Sequence, residues 1–278
     1  MDTKKVWFVT GASKGLGLSL VKQLLNEGYQ VAATSRTVES LEKEVATHTG
    51  FLPLDVQLTD EKSVGNAIAK TVETFGGIDV VVNNAGYGQT GTLEELSDEE
   101  TRRNFDVNVF GALNVIRSVM PHFRSRRSGH IINVSSIAGM LGTFAGFGVY
   151  CATKFAMVGF TESLSAEAAE FGVTATVVYP GYFRTAFLDS GSLTLPQAPL
   201  SEYTAARASE SWHETEMKGK QPGSPEKAAL AFIQLAESKN PPLHFVMGSD
   251  AFGMAKNKID VLQKELSANE ALSVSTDF

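Results

Sequence analysis

The sequence predicts an α/β protein: one doubly wound parallel sheet of about seven strands flanked by helices. Three observations carry that expectation. Short apolar segments alternate with longer segments of helical period along the chain, the order produced when parallel strands are joined by right-handed crossovers. Several of the short segments are near-continuous Val and Ile runs, as around Ile78 to Val82 and Ile131 to Val134, and strands covered on both faces have that composition. A glycine-rich turn, Thr10 to Gly17, separates the first strand pattern from the first helix pattern.

The elements follow in order. Val6 to Thr10 reads as a strand and Leu16 to Leu25 as a helix, closed by Gly28 as a C′ residue. Tyr29 to Ser35 is a second strand, Val38 to Ala46 a helix, Phe51 to Leu54 a third strand and Ser63 to Phe75 a helix. Ile78 to Val82 (strand), Asp98 to Phe123 (one long helix), His130 to Val134 (strand), Val149 to Phe171 (helix) and Val173 to Val178 (strand) come next. The pattern then loosens over about 186–223, which holds Pro196, Pro199, Trp212 and Pro222. So long a connection in a compact domain reads as a lid over a binding site. Helix resumes at Ser224-Pro225, an N-cap followed by proline at the first helical position. Leu243 to Met247 is the last strand, and Ala251 to Leu266 lies in a helical tail of about 249–278 with Ile259, Leu262 and Leu266 on one face. No repeat or linker divides the chain, so residues 1–278 are expected to form one domain.

Composition removes other classes. With 43% hydrophobic residues, 25 Gly and 9 Pro, the chain is neither disordered nor collagenous. A net charge of −7 lacks the basic footprint of a nucleic-acid binder, and Arg124, Arg126 and Arg127 read as a solvated helix end. The single cysteine, Cys151, suits a reducing compartment, and Met1 to Lys5 has no signal-peptide pattern, so a cytoplasmic protein is expected. Ile131 to Thr153 carries no charged residue over 23 positions, long enough for a membrane span. Asn133, Ser135, Ser136 and four glycines within it argue instead for a buried strand, a loop and a helix start.

Two constellations carry chemistry. Gly11, Ser13, Lys14, Gly15, Leu16 and Gly17 lie where a strand turns into a helix, so backbone N–H groups and the positive end of the helix dipole would meet a dinucleotide pyrophosphate. The acidic residue that reads a ribose 2′-hydroxyl is missing at the end of the second strand, where Thr34-Ser35-Arg36-Thr37 stands. Arg36, helped by Lys14, suits a 2′-phosphate, so NADP(H) is expected over NAD. Tyr150 and Lys154 are four apart on one helix face. A phenol with a pKa near ~10 becomes a useful acid and base at neutral pH only if shifted by about 3 units, which takes roughly 4 kcal/mol. A nearby ammonium favours the phenolate.

Together these motifs make the chain resemble a classical short-chain dehydrogenase/reductase of the carbonyl reductase and hydroxysteroid dehydrogenase-like branch. Thr10 to Gly17 is similar to that family's T-G-x-x-x-G-x-G, Asn83-Asn84-Ala85-Gly86 to its N-N-A-G, and Asn108 to its helix asparagine. Ile132 to Ser136 resembles its serine strand, Tyr150 and Lys154 its Y-x-x-x-K, and Pro180-Gly181 with Thr185 the segment over nicotinamide. The resemblance runs from Val6 to Gly248. It implies a Rossmann-like fold and hydride transfer between nicotinamide C4 and a carbonyl or alcohol carbon. Tyr150 would be the general acid and base, Lys154 would lower its pKa and bind the nicotinamide ribose, Ser136 would stabilise the substrate oxygen, and Asn108 would hold a relay water. Asp55 with Val56 would meet the adenine, Asn83, Ala85 and Gly86 would line the adenosine side, and Pro180, Gly181 and Thr185 would close over the nicotinamide. Ser136 precedes Tyr150 by 14 residues, against the family's common thirteen, so the intervening loop is longer and Ser135 is the weaker alternative.

The remaining residues add constraints. His48, His122, His130, His213 and His244 show no ligand spacing, and no metal is expected. Cys151 faces away from Tyr150 as a packed thiol. Gly142-Thr143-Phe144, Tyr182, Phe183, Phe187, Leu188 and the lid up to Trp212 would form an apolar pocket wall, suited to a ketone, aldehyde or secondary alcohol with a hydrophobic body. A nucleotide-sensing binding protein without turnover is the alternative, disfavoured by the joint presence of Ser136, Tyr150, Lys154 and Asn108. Extended-branch epimerases and enoyl reductases fit the glycine spacing and the Tyr to Lys spacing less well. The family resemblance implies a homodimer or homotetramer through the helices at 98–123 and 149–171. Neither a membrane nor a nucleic acid is an expected partner.

Overall fold

The computed structural model describes residues 4–45, 48–189 and 191–278. In chain order the elements are β1 (Val6–Val9), α1 (Gly15–Asn26), β2 (Gln30–Ser35), α2 (Val38–Glu42), β3 (Phe51–Asp55), α3 (Glu61–Phe75), β4 (Val80–Asn83), β5 (Gly88–Gln89), α4 (Asp98–Phe105), α5 (Gly111–Arg126), β6 (Gly129–Val134), α6 (Gly148–Ala168), β7 (Val173–Pro180), β8 (Leu193–Thr194), α7 (Thr204–Trp212), α8 (Pro225–Glu237), β9 (His244–Met247) and α9 (Ser249–Val274). Seven strands form one parallel sheet in the order β3-β2-β1-β4-β6-β7-β9, and β5 pairs with β8 in a separate two-stranded ribbon.

Strand alternation explains the continuous apolar runs. In β1, Trp7 and Val9 join the core that α1 and α8 cover, whereas Phe8 joins the opposite core with Val64, Ile68, Val115, Val119 and Phe123 of α3 and α5. Val80 and Val82 likewise face one layer and Val81 the other. Both faces exclude water: Trp7, Phe8, Ile131 and Ile132 are fully buried, and each such side chain contributes roughly 2–3 kcal/mol of transfer free energy.

Local chemistry sets several boundaries. Asp60 accepts a hydrogen bond from the Lys62 amide to start α3, and Gly76 at φ 80° ends it. Ser97 and Glu100 form a reciprocal capping box on α4, and Ser224 with Pro225 opens α8 as expected.

Five elements differ from the sequence reading. The helix expected over 98–123 is split by a π-helical turn at Asp106–Phe110. One inserted residue leaves the apolar period readable on both sides, so the sequence alone shows a single helix. The expected helix to Phe171 ends at Ala168 and tightens into a 3₁₀ turn at Ala169–Phe171. The segment expected to be a lid contains β8, α7 and a π-helical turn at His213–Met217 rather than irregular chain. The tail helix runs on to Val274. Ala46, the expected end of the second helix, lies outside the described residues, and α2 ends at Glu42. The uncharged stretch at 131–153 is the end of β6, a 3₁₀ turn and the start of α6, and among the described residues no helix is long and apolar enough to cross a membrane.

Parallel pairing brings the carboxyl ends of β1, β2, β4, β6 and β7 to one edge. The chain reverses its winding between β1 and β4, the crevice where open α/β sheets hold ligands. A cavity of about 640 Å³ opens there.

Candidate active site

The turn after β1 forms one end of the cavity. Gly11 and Gly15 adopt φ of 63° and 61°, in the left-handed region that glycine enters without steric cost. A Cβ on Gly11 would lie 2.6 Å from the Ala85 Cα, so only glycine lets the two loops approach. Asn84 fixes their spacing by donating to the carbonyls of Thr10 and Gly11, both at 3.0 Å, while the Thr10 hydroxyl accepts from the amides of Asn84 and Ala85, both at 3.1 Å. Lys14 is the extended N-cap residue of α1, and its side chain makes no capping bond. The first amides of α1 thus lack a side-chain acceptor, and Ser13, Lys14, Gly15 and Leu16 line the cavity. This is the donor set a pyrophosphate requires. Thr34, Ser35 and the exposed Arg36 continue the wall from the end of β2, with no acidic residue among them.

The end of β6 and the start of α6 form the other working part. Ser136 opens the 3₁₀ turn Ile137–Gly139, its hydroxyl accepting from the Ala138 amide at 3.1 Å. Gly139 permits this turn to lie against α6, since a Cβ there would fall 2.3 Å from Ser135 Oγ and 2.8 Å from the Lys154 carbonyl. Tyr150 is buried beside Ser136, and both line the cavity. Lys154 is buried one helical turn further on; its Nζ donates to the Val134 carbonyl at 2.9 Å and lies 5.8 Å from the centre of the Tyr150 ring. Ser135 donates to the Lys154 carbonyl at 2.9 Å and is a helix-to-strand tie, whereas Ser136 is half-buried on the cavity wall.

Electrostatics corrects one expectation. Among the protein's own groups, Lys154 does not draw Tyr150 down: burial pushes the phenol up, and the nearby Ser136 only partly opposes it. Burial also lowers Lys154, to about 8. Desolvation disfavours both charged forms, and the ammonium is directed at a carbonyl rather than at the phenolic oxygen.

Of the expected cofactor residues, Gly11, Ser13, Lys14, Gly15, Leu16, Arg36, Val56, Ala85, Gly86, Pro180, Gly181 and Thr185 line the cavity. Four expected site residues do not. Asn83 faces the sheet interior, where its amide donates to Asn133 Oδ1 at 2.8 Å; strand alternation turns the adjacent Asn84 to the cavity instead. Gly17 serves packing, because a Cβ there would lie 2.5 Å from Asn84 Nδ2. Asp55 is exposed at the end of β3, and its neighbours Val56 to Thr59 form the wall. Asn108 is fully buried behind it, its Oδ1 accepting from the Tyr87 amide at 3.0 Å and its Nδ2 donating to the Tyr87 carbonyl at 3.0 Å and to Thr153 Oγ1 at 3.1 Å.

Phe144, Phe147, Tyr182, Phe183, Phe187 and Leu188 form the apolar side, with Phe187 6.2 Å from the Tyr150 ring. Gly142, Thr143 and Trp212 stand outside it. Sequence reasoning missed His213, which is buried on this wall between Phe147 and Tyr182. Its Nδ1 meets the Ser209 carbonyl at 2.7 Å and must be protonated, leaving Nε2 to accept from the Tyr182 hydroxyl at 2.9 Å. Cys151 is buried beside Tyr150 and packs with Phe147, and burial pushes its thiol up to about 11.

Comparison with known proteins agrees with this arrangement. The family model for short chain dehydrogenases matches residues 5–194. An oxidoreductase of Botryotinia fuckeliana is 34% identical over 260 residues, spanning 93% of this chain and 94% of that protein. The crystal structure of a short-chain dehydrogenase from Streptomyces avermitilis superposes with a TM-score of 0.90 at 33% identity, covering 98% of this chain and 100% of that one. A short-chain dehydrogenase from Burkholderia cenocepacia in complex with NADP gives a TM-score of 0.73 at 25% identity, over 96% of this chain and 98% of that one. The chain belongs to the short-chain dehydrogenase family. It is an oxidoreductase of a family that works with pyridine nucleotides on CH–OH and C=O groups.

Proposed function

We propose that this protein is an NADP(H)-dependent oxidoreductase that moves hydride between nicotinamide and a ketone, aldehyde or secondary alcohol with a hydrophobic body. The observation that carries this reading is the continuity of one cavity, from the uncapped start of α1 and Arg36 at one end to Ser136, Tyr150 and the lid aromatics at the other. Gly11, Ser13, Lys14, Gly15 and Leu16 would hold the pyrophosphate, and Arg36 with Lys14 the 2′-phosphate. Val56, Ala85 and Gly86 would line the adenosine side, and Pro180, Gly181 and Thr185 the nicotinamide side. When bound, the cofactor supplies or accepts the hydride.

The chain's own residues handle the proton. In reduction Tyr150 gives its hydroxyl proton to the substrate oxygen as the carbonyl carbon gains hydride, and in oxidation the phenolate takes the alcohol proton. Ser136 donates to the same oxygen and stabilises its developing charge. A phenol raised by burial is protonated at neutral pH, the form from which reduction starts. Lys154, held by the Val134 carbonyl, would anchor the ribose. Asn108 acts from behind the wall: its side chain holds Tyr87, and a relay water would be held beside it. The lid aromatics exclude water and select an apolar body.

NADPH oxidation by the full-length protein across a panel of aryl, alicyclic and aliphatic ketones and aldehydes tests the proposal. Turnover is expected with apolar members. Tight NADPH binding with no turnover on any member would overturn it in favour of a nucleotide sensor.

A further inference from the structure

One hydrogen bond stands among the aromatic rings on the apolar side of the cavity. The Tyr182 hydroxyl and His213 Nε2 are 2.9 Å apart, and Phe144, Phe147, Phe187 and Leu188 line the cavity with them. Both partners are clamped. Asp250 Oδ2 accepts from the Tyr182 amide at 2.7 Å, and Trp212 packs edge-on against both rings, 5.9 Å from Tyr182 and 5.0 Å from His213. His213 is buried, and burial lowers it from its ordinary value, so it is neutral at pH 7.

Proton counting fixes what this pair offers. The Ser209 carbonyl can only accept, so the single His213 proton sits on Nδ1, 2.7 Å from it, and Nε2 takes the Tyr182 proton. The Tyr182 oxygen is left with lone pairs and no proton to give. Among the described residues no donor other than this pairing meets it, and the partly buried Tyr182 lines the cavity. A ligand group placed here must donate, because a carbonyl or ether oxygen would face a second acceptor in apolar surroundings and stay unpaired. Phe147 packs against both working parts, 6.4 Å from the Tyr150 ring and 5.0 Å from His213, so the acid and this acceptor stand about one ring apart. We infer that Tyr182, its proton drawn off by His213, recognises a hydroxyl on the substrate's apolar body, across from the reacting carbonyl. The inference rests on the reductase reading above and narrows its substrate class to hydroxylated ketones. His213 acts through Tyr182 as a positioning residue.

Three acetophenones, with hydrogen, hydroxyl or methoxy at the para position, test it on the full-length protein. kcat/KM for reduction by NADPH is one readout, calorimetric affinity for the NADP⁺-loaded protein is a second, and NADPH binding checks that each variant folds. The wild type is expected to favour the hydroxyl compound over both others by about tenfold, the worth of one hydrogen bond. Tyr182→Phe should bring the three level. His213→Phe returns the Tyr182 proton, which an ether oxygen can then accept, so the preference over the methoxy compound should vanish while that over the unsubstituted one stays. A wild type that does not favour the hydroxyl compound overturns the inference, and so does a preference that survives Tyr182→Phe or a methoxy discrimination unmoved by His213→Phe. If no ketone is reduced but the calorimetric preference appears and disappears as expected, the hydroxyl site stands and the reductase reading falls.

Discussion

One wall of the cavity is made by strand ends and the other by the lid, and different bonds hold them. The strand-end wall is tied through main-chain atoms: Asn84 to the carbonyls of Thr10 and Gly11, Ala12 N to the Thr34 carbonyl at 2.9 Å, and Ser135 N to the Val178 carbonyl at 2.9 Å. The lid is tied mainly by buried side chains. Glu95, with no exposed side-chain surface, pairs with Arg207 at 2.9 Å and accepts from the amides of Thr92 and Leu200, while Glu100 accepts from the Gln197 amide at 3.0 Å. Burial would raise Glu95, but the Thr92 and Leu200 amides and Arg207 hold it below the usual carboxylate range. A sheet edge is held by the whole ladder, whereas a lid hung on two carboxylates can be released by changing one of them.

Four changes break or sharpen that contrast. The largest effect is expected for Tyr150→Phe, which leaves both walls standing and removes the proposed proton donor. kcat for carbonyl reduction should fall by roughly 10²–10⁴-fold, about 3–5 kcal/mol, with NADPH affinity by fluorescence little changed. The sheet has one titratable weak point: His130 donates from Nε2 to Thr176 Oγ1 at 2.9 Å, and burial, with Lys5 adding, pushes it down to about 4. The unfolded chain gains this proton near pH 6.5 and the fold resists until about 4, so stability should fall by about 3 kcal/mol on acidification across that window. Urea titrations at several pH values check the slope, and His130→Gln, which keeps a donor, should flatten it. In the lid, Glu95→Gln removes a charged acceptor and should loosen the segment by about 2 kcal/mol. Hydrogen exchange at 195–210 should quicken and KM for the carbonyl rise, while NADPH affinity holds. Arg36→Ala, at the far end of the strand-end wall, should lower the NADPH over NADH preference by about tenfold, the loss of one charge-assisted bond. A ratio that does not move would refute the 2′-phosphate assignment.

The same contrast governs what could be read from the sequence. The strand-end wall is legible because its parts are local: a glycine turn, an Asn-Asn pair and a Tyr to Lys spacing each sit within a few residues. What was misread there concerns direction within a motif. Asn83 and Asn84 are chemically alike, and only the register of β4 decides that Asn84 turns to the cavity. The lid is illegible for the opposite reason. Glu95 and Glu100 resemble a solvated acidic run, and their partners Leu200, Arg207 and Gln197 lie about a hundred residues away. His213 gave no signal because its partners, Ser209 and Tyr182, matter only once α7 folds over the site. Resemblance supplied the role of Asn108, but the π-helical turn that positions it leaves no mark on the apolar period.

Cys151 has a consequence for how the protein meets oxidants. It is the chain's one thiol, enclosed by Phe147 and Tyr150 and raised to about 11. At neutral pH only about one molecule in ten thousand carries the thiolate that peroxide or a disulfide would attack. An enzyme built this way offers no reactive thiol by which an oxidising pulse could silence it. Its output would track the supply of reduced nicotinamide rather than the redox state of its thiol.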